Sequence, residues 1–346
     1  MLPFLIILIV LGAVLEIISL RRDPALIEMD YNISTNLTEP GKPFVIQSTI
    51  TNNSRVPVSY LAVRELIPEC TEIPDGVTTH VVKDGLLVKN IYRLSGLRRK
   101  KLLLELSVSK RGVHMFSGES VEFGDFLGFR VITKKVRQQR ELVVYPEPNE
   151  DPELSQILSS FCGDMTARRY LLRDPILTAG TREYTGREPM RDIHWLQSAR
   201  RGDLMVREFE YNRQPSTCVI LDVNGVGSSE DDLDSLCSVT RSVCQALVNK
   251  GSAVSFYTNS RLKRRERREV WKCEASPLYM TALLEGLGRA TSVAVASTDS
   301  LMQRAIRDSD PDAAFIIVSS ANNADSAQLF EGQRHNTGRE FLMING

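Results

Sequence analysis

The stretch Thr217-Cys-Val-Ile-Leu-Asp-Val223 is a continuous apolar run that ends at an acidic residue. Such a run is typical of a strand that is buried on both faces of a parallel sheet. The segment Glu230–Lys250 follows it with apolar residues at helical spacing, and residues 253–257 and 313–318 are two further apolar runs. The alternation of strand and helix predicts a doubly wound α/β sheet over residues 217–346.

The preceding half of the chain has a different pattern, with short strands separated by turn residues. Residues 44–50 alternate between apolar and polar side chains, and a turn cluster occupies residues 52–57. Residues 27–146 are therefore predicted to form an antiparallel β-sandwich of the immunoglobulin or fibronectin type. Three prolines and three acids between Pro146 and Pro152 predict a domain boundary, so that residues 147–216 form a linker region.

The N-terminus is the most apolar part of the chain. Residues 2–15 carry no charge, Glu16 interrupts the run, and Arg21 and Arg22 follow it. A helix over residues 2–20 would be roughly 28 Å long, which is enough for a bilayer core. Residues 1–22 are thus predicted to be a transmembrane anchor. A cleaved signal peptide is the alternative, although it would need a basic start and a small-residue cleavage site that this sequence lacks.

The arginine pair predicts the orientation of the chain at the cell membrane. Positive residues flank a membrane helix on its cytoplasmic side, so a single-pass protein with soluble domains facing the cytoplasm is expected. Asn-x-Ser/Thr triplets at Asn32, Asn36 and Asn52 would instead suit an extracellular domain. The six cysteines form no Cys-x-x-Cys pair, which favours buried reduced thiols over disulfides or a zinc site.

The charge balance limits the classes of partner. Forty-three basic residues equal the forty-three acidic ones, so the whole chain lacks the positive excess of a nucleic-acid-binding protein, and no nucleic-acid partner is expected. Motifs of common hydrolases and of nucleotide-binding loops are also missing from the sequence. The sequence therefore predicts a protein that is not an enzyme.

Asp222 is the main candidate for a strand-end site, because sheets of the predicted kind bind ligands at the carboxyl ends of their strands. Its surroundings are similar to the Asp-x-Ser-x-Ser motif of von Willebrand A domains, which holds Mg²⁺. Asn224 can offer an oxygen, but Val226 stands where the second serine would be. Since Mg²⁺ needs several oxygen ligands, the resemblance implies a degenerate site with no resident metal or other cofactor.

Gly180–Glu210 is the most unusual stretch, since arginines alternate there with acids and aromatic residues. One interpretation is a set of phosphate contacts and stacking platforms. The other is a network of Arg–carboxylate pairs that braces a loop internally. A second basic run, Arg261–Arg268, is expected to be a solvated loop or a contact for an acidic partner or anionic lipid.

Gly180–Glu210 also resembles the signature of a bacterial family filed as domain of unknown function number fifty-eight. The residues that carry the resemblance are Arg182, Tyr184, Gly186, Arg191, His194, Trp195, Arg200, Arg207 and Glu208. The family's Gly-Asp pair is displaced here, because this chain has Gly186-Arg-Glu188. The resemblance implies a membrane-anchored protein with a β domain and a von Willebrand A-like, Rossmann-like domain.

The resemblance further implies a MoxR-type AAA+ ATPase and other membrane proteins as partners. We therefore expect a non-catalytic interaction or adaptor protein that acts in protein assembly or maturation. Two alternatives remain open from the residues themselves. One is divalent-metal-dependent adhesion at Asp222 and Asn224, and the other is a hydrolase that uses Asp222 with His194.

Overall fold

The computed structural model describes most of the chain from Asp23 onwards. The described residues are 4, 6, 7, 10, 12–14, 16, 17, 23–74, 76–124, 130–171, 178–209, 216–227, 230–265, 269–277, 279–320, 328, 329, 331–334 and 339–345. These residues divide into two compact units. The first comprises residues 1–147 and 284–290, and the second comprises residues 148–283 and 291–346.

The first unit is built from ten strands. They are β1 (Ile27–Ile33), β2 (Leu37–Thr38), β3 (Phe44–Asn52), β4 (Val58–Ile67), β5 (Thr71–Glu72), β6 (Thr79–Val82), β7 (Gly85–Leu94), β8 (Arg98–Val108), β9 (Gly112–Gly124) and β10 (Val131–Val144). One sheet has the order β1-β3-β8-β5 and the other has the order β2-β10-β9-β4-β7-β6. All pairings are antiparallel except that of β10 with β2.

Alternation along the strands produces the core of this unit. In β1 every second side chain is buried, beginning with Ile27, and the intervening ones are exposed. Side chains from both sheets meet in one apolar cluster that includes Tyr31, Phe44, Phe116 and Phe123. The rings of Phe44 and Phe116 pack edge to face with their centroids 5.4 Å apart. Burial of one face of each sheet is the main stabilising contribution to this unit.

Strand β1 lies at a sheet edge, where unpaired backbone groups would otherwise be exposed. Side chains of β10 bind these groups. The Gln138 amide accepts a hydrogen bond from the Tyr31 backbone N–H at 2.7 Å and donates one to the Met29 carbonyl, while the Lys134 ammonium donates to the Ile27 carbonyl at 2.7 Å. A register shift between Lys135 and Gln138 separates the Lys134 contact from the Gln138 contacts. This β-bulge bends β10 and increases its twist locally.

A carboxyl group is buried inside this unit. Glu65 on β4 is buried, and the hydroxyl of Ser48 on β3 donates a hydrogen bond to it. Desolvation by burial raises the pKa of Glu65, and the Ser48 hydrogen bond only partly offsets that rise. The folded state therefore favours the protonated form of Glu65.

The second unit contains the remaining elements. Its helices are α1 (Pro152–Leu171), α2 (Trp195–Arg201), α3 (Glu230–Asn249), α4 (Met280–Arg289) and α5 (Thr298–Asp308). Its strands are β11 (Thr178–Glu183), β12 (Met205–Phe209), β13 (Ser216–Asp222), β14 (Ala253–Thr258), β15 (Ser260–Leu262), β16 (Trp271–Ala275), β17 (Ala290–Ala294), β18 (Ala314–Ser319) and β19 (Phe341–Asn345). The last residues of α4 and the first of β17 group with the first unit.

The largest sheet of this unit has the order β16-β14-β13-β18-β19. Strand β13 pairs in parallel with β14 and β18, β18 pairs in parallel with β19, and β16 is antiparallel to β14. Nearly every side chain of β13 and β18 is buried, which explains their unbroken apolar sequences. Helix α3 buries its apolar face, including Leu236 and Val243. Two further pairs of strands, β11-β12 and β15-β17, stand outside this sheet.

The fold class predicted from the sequence is wrong for the chain as a whole. Strands account for 45% of the described residues and helices for 29%, and the strands form several sheets. The second unit is not a clear von Willebrand A-like, Rossmann-like domain, since its main sheet has an antiparallel edge and two separate strand pairs accompany it. Apolar runs reveal individual buried strands, but they do not reveal the direction or partners of the short strands around them.

The predicted membrane anchor is also wrong. Among the described residues, no helix is long and apolar enough to cross a membrane. Within residues 1–22, the described positions 4, 6, 7, 10, 12–14, 16 and 17 are helical, and the rest of this range lies outside the described residues. The predicted localisation depends on this helix and is wrong for the same reason. It was that of a single-pass cell-membrane protein with cytoplasmic domains. A bilayer crossing requires about 20 consecutive apolar residues in one helix, and the described residues contain no such helix.

Candidate functional site

Asp222 ends strand β13, in the middle of the main sheet of the second unit. Its partner in the neighbouring strand β18 is Ser319, and both side chains are fully buried. Asn259 follows β14 directly, and Thr298 opens helix α5. Because β13, β14 and β18 run in the same direction, their carboxyl ends meet at one edge of the sheet. We call Asp222, Asn224, Asn259 and Thr298 the strand-end cluster.

The carboxylate of Asp222 accepts hydrogen bonds from three donors of this cluster. The Asn259 amide nitrogen Nδ2 lies 2.7 Å and the Asn224 backbone nitrogen 3.0 Å from Oδ1, and the Thr298 hydroxyl lies 2.6 Å from Oδ2. Asn224 also donates from Nδ2 to Thr298 Oγ1 at 3.1 Å. Asn259 in turn accepts a hydrogen bond from the Val223 backbone N–H at 3.0 Å. Short hydrogen bonds to a buried carboxylate are the strong kind.

These contacts join three loops to one side chain. Both Asn259 Nδ2 and Asn224 Nδ2 donate to the Ala296 carbonyl, which lies just before α5. Helix α5 begins at this point with Ser297 as its N-cap, whose side chain accepts a hydrogen bond from the Ser300 backbone N–H. Asp222 therefore fixes the ends of β13 and β14 to the start of α5.

The donor set does not fit a divalent cation. Two of the three hydrogen-bond donors described above for the Asp222 carboxylate are N–H groups, which present positive charge where a cation would lie. Mg²⁺ requires a set of oxygen ligands in near-octahedral geometry. Among the described residues, no group of three or more His, Cys, Asp or Glu side chains is placed to hold a metal ion. The arrangement as it stands can position loops, and it offers no carboxylate oxygen toward solvent.

The family-like stretch forms a second element of the same unit. Strands β11 and β12 pair antiparallel, with Arg182 opposite Val206, and helix α2 connects them. The Tyr184 backbone N–H donates to the Leu204 carbonyl at 2.9 Å, which extends the pairing beyond β11. We call residues 178–209 the ribbon–helix segment. The side chain of Glu208 is outside the described part of the chain, and its backbone pairs with Gly180.

One side chain caps α2, and another holds the helix against the ribbon. His194 is the N-cap, and its Nδ1 accepts a hydrogen bond from the Gln197 backbone N–H at 3.2 Å. Ser198 is buried and accepts a hydrogen bond from the Met205 backbone N–H at 2.8 Å. Gly202 ends the helix with φ +83°, a conformation that favours glycine. His194 is thus a capping residue in this structure.

A tight turn precedes α2 and explains why Gly186 and Glu188 occur together. Gly186 has φ +85°, and the Glu188 carboxylate returns across the turn to accept hydrogen bonds from the Thr185 hydroxyl at 2.7 Å and the Thr185 backbone N–H. Arg182 forms an ion pair with Glu188 at 2.7 Å. The Thr185 hydroxyl is the main cause that lowers the pKa of Glu188 to about 2, and Arg182 adds to it. Glu188 therefore closes the turn that Gly186 allows.

Other side chains of the ribbon–helix segment, by contrast, are exposed. Trp195 and Leu196 on α2 are 59% and 62% exposed, and Met190 just before the helix is 69% exposed. The exposed arginines include Arg200, Arg201 and Arg207, and within the described residues none of these three has an ion-pair partner. Arg191 forms an ion pair with its neighbour Asp192 at 3.8 Å. Among the described residues of the segment, Arg182 therefore braces the turn, whereas Arg200, Arg201 and Arg207 form no such pair.

The structure separates the candidate residues into two groups. Asp222 and Asn224 belong to the strand-end cluster, whereas His194 caps a helix in the ribbon–helix segment, so the two residues of the hydrolase hypothesis have different partners. Sequence reasoning missed Asn259 and Thr298. The position of Asn259 directly after a predicted strand was the available signal. In the basic run, Arg265 lies over the Trp271 ring at 5.7 Å, and residues 266–268 are outside the described range.

Comparison with known proteins gives one relative by sequence. No family model matches the chain. An uncharacterised protein of Bacillus subtilis, YeaD, is 25% identical over 213 residues, which cover 58% of this chain and 48% of that protein. The chain thus spans about half the length of the curated relative that it matches.

Several solved structures that are similar to this chain, cohesin modules among them, match about a third of it. A cohesin module of a Clostridium perfringens family 33 glycoside hydrolase has a TM-score of 0.28 at 11% identity over 34% of this chain and 96% of its own length. A type I cohesin from a cohesin–dockerin complex of Clostridium thermocellum has a TM-score of 0.26 at 13% identity, over 34% and 98%. At these TM-scores the likenesses carry no argument about function.

Proposed function

We propose that this chain is a non-catalytic protein-interaction protein, and that its second unit carries the binding surface. The observation that supports the proposal most directly is the state of Asp222. A catalytic acid or a metal ligand needs a carboxylate oxygen that can reach a substrate or a cation. Here both oxygens accept hydrogen bonds from the strand-end cluster, and the side chain is fully buried. The cluster therefore acts as a structural clamp.

The ribbon–helix segment supports the same proposal through its exposed side chains. Its polar anchors, Glu188, His194 and Ser198, are occupied within the segment, while aromatic, apolar and arginine side chains around them are exposed. Exposed tryptophan and arginine are the residues that contribute most to protein–protein binding. The partner that we propose is the MoxR-type AAA+ ATPase implied by the sequence resemblance, with an adaptor role in protein assembly or maturation.

The proposal is tested by purifying a tagged form of the full chain after mild crosslinking in cells and identifying the recovered proteins by mass spectrometry. We expect an AAA+ ATPase in roughly stoichiometric amount. If no protein is recovered reproducibly and only in the presence of the tag, the interaction proposal is overturned. Recovery of a different protein as the reproducible partner would retain an interaction role and reject the ATPase assignment.

Divalent-metal-dependent adhesion at Asp222 is the alternative. The proximity of the Thr298 hydroxyl to the carboxylate favours it, because a hydroxyl and a carboxylate are both ligands that Mg²⁺ accepts. It requires exchange of the hydrogen bonds from Asn259 and Asn224 for metal bonds. Calorimetric titration of the full chain with Mg²⁺ or Mn²⁺ decides between the two. The adhesion site is established if the metal binds stoichiometrically and the Asp222→Asn variant loses that binding. The structural clamp predicts that the titration shows no saturable heat.

A further inference from the structure

The exposed face of helix α2 has a defined position relative to the ribbon. Successive residues of an α-helix are rotated by roughly 100° about its axis. Ser198 points to the ribbon, where it binds the Met205 backbone N–H. By this rotation Leu196 and Arg200 lie nearly opposite Ser198, and Trp195 and Ala199 lie beside them. All four are exposed, so one face of α2 presents an indole, a leucine and a guanidinium together.

This face is held rigidly although it is exposed. The helix is capped at its start by His194 and ended by Gly202, and the His194 backbone N–H donates to the Met205 carbonyl at 2.8 Å. Ser198 adds a contact to Met205 from within the helix. A surface with fixed backbone geometry loses little conformational entropy when a partner binds.

Within the part of the chain that the structure describes, the positive charge on this face is not paired with a carboxylate. Arg200 lies on this face and Arg201 flanks it, roughly 100° further around the helix axis. Within the described residues neither arginine has a carboxylate partner. Local positive charge of this kind contrasts with the zero net charge of the whole chain. A partner that offers carboxylates beside apolar side chains would pair with the arginines and cover the indole in one contact.

We infer that the face formed by Trp195, Leu196, Ala199 and Arg200 is the docking surface for an acidic, apolar segment of a partner protein. The inference rests on the proposed function, and it adds the location of the contact and the chemistry of the partner. Trp195 and Leu196 bury apolar area against the segment. Arg200 and Arg201 bind its carboxylates, and guanidinium–carboxylate pairs fix its register.

The test places a photo-crosslinking amino acid in the full chain in cells. One variant carries it at Leu196, and the control carries it at Val293, which also lies in the second unit and is 54% exposed. We expect the Leu196 variant to crosslink to one protein, through a peptide that contains Asp or Glu next to apolar residues. We expect Val293 to crosslink to it at least ten-fold less.

Charge reversal provides the second arm. The double variant Arg200→Glu, Arg201→Glu is expected to lower the Leu196 crosslink about ten-fold or more, and Arg200→Lys, Arg201→Lys is expected to retain most of it. All of these side chains are exposed, so unfolding midpoints close to that of the wild type are expected and confirm that the variants fold.

The outcomes separate this inference from the proposed function. If the tagged wild-type chain recovers its partner but Leu196 does not crosslink to it, or charge reversal leaves the crosslink unchanged, the docking surface is wrong and the interaction role stands. A crosslink from Leu196 to nucleic acid, to lipid or to a second copy of this chain also overturns the inference. If the wild-type chain recovers no protein, the proposed function and the inference fail together.

Discussion

Replacing Asp222 by alanine tests the strand-end clamp on which the functional proposal depends. The substitution removes the acceptor of three donors: the Asn224 backbone N–H, the Asn259 amide and the Thr298 hydroxyl. A hydrogen bond to a charged group contributes about 1.5–3 kcal/mol, so three of them sum to about 4.5–9 kcal/mol. Asn259 keeps its second bond, to the Ala296 carbonyl, and relief of the buried charge offsets part of the loss. We expect a net loss of about 3–5 kcal/mol.

Urea unfolding followed by tryptophan emission measures this loss in the correct unit. The chain contains two tryptophans, and both of them, Trp195 and Trp271, lie in the second unit. Trp271 packs edge to face against Phe256 on the main sheet, so its emission reports on that sheet. The emission change therefore follows the second unit even if the first unfolds separately.

Two control variants make the Asp222 result specific. Asp222→Asn keeps one acceptor oxygen and should lose about 1–2 kcal/mol, because one donor is left without an acceptor. Asp203→Ala removes an exposed carboxylate of the same unit and should change stability by less than about 0.5 kcal/mol. A loss below about 1 kcal/mol for Asp222→Ala would refute the clamp, and a loss that appears only when Mg²⁺ is present would show that the carboxylate binds metal.

Three further predictions concern the first unit and the ribbon–helix turn. Burial raises the pKa of Glu65, so the stabilising contribution of its protonated form is complete below the unfolded pKa and is lost as pH rises through the folded pKa. In Glu65→Gln the thermal unfolding midpoint should therefore depend less on pH. Gln138→Leu removes the acceptor of the Tyr31 backbone N–H, so it should speed hydrogen exchange of that amide and lower the free energy of unfolding by about 1–3 kcal/mol. The matched control Gln139→Leu, at an exposed position, should change neither quantity. Thr185→Val should raise the pKa of Glu188 from about 2 toward its ordinary value in a carbon-detected NMR titration, and an unchanged pKa would contradict the turn geometry.

The sequence identified single elements of the fold well, because burial leaves a periodic pattern. Residues 44–50 lie within β3, and the run Thr217–Val223 contains nearly all of β13. The fold class and the membrane anchor predicted from the same patterns are wrong. Pairing between distant strands depends on register and direction, and these are determined by tertiary contacts that apolar runs do not encode.

The candidate site was predictable only in part. The rule that sites lie at strand ends pointed to Asp222, and Asn224 is joined to it by a backbone hydrogen bond within two residues. Asn259 and Thr298 lie 37 and 76 residues away along the chain, so their contacts arise only when β14 and α5 are in place. The exposure of Trp195 was likewise not readable from the sequence, because an aromatic residue in a helix is more often buried.

The most direct test of the account compares the partner recovered by the tagged full chain in Mg²⁺ with that recovered in a chelator, by quantitative mass spectrometry after crosslinking. The hydrogen-bonded state of Asp222 predicts the same protein partner in equal amounts under both conditions. It also predicts equal recovery by the Asp222→Asn variant where that variant remains folded. Partner recovery that requires divalent metal and is lost with Asp222→Asn would contradict the account and establish metal-dependent adhesion.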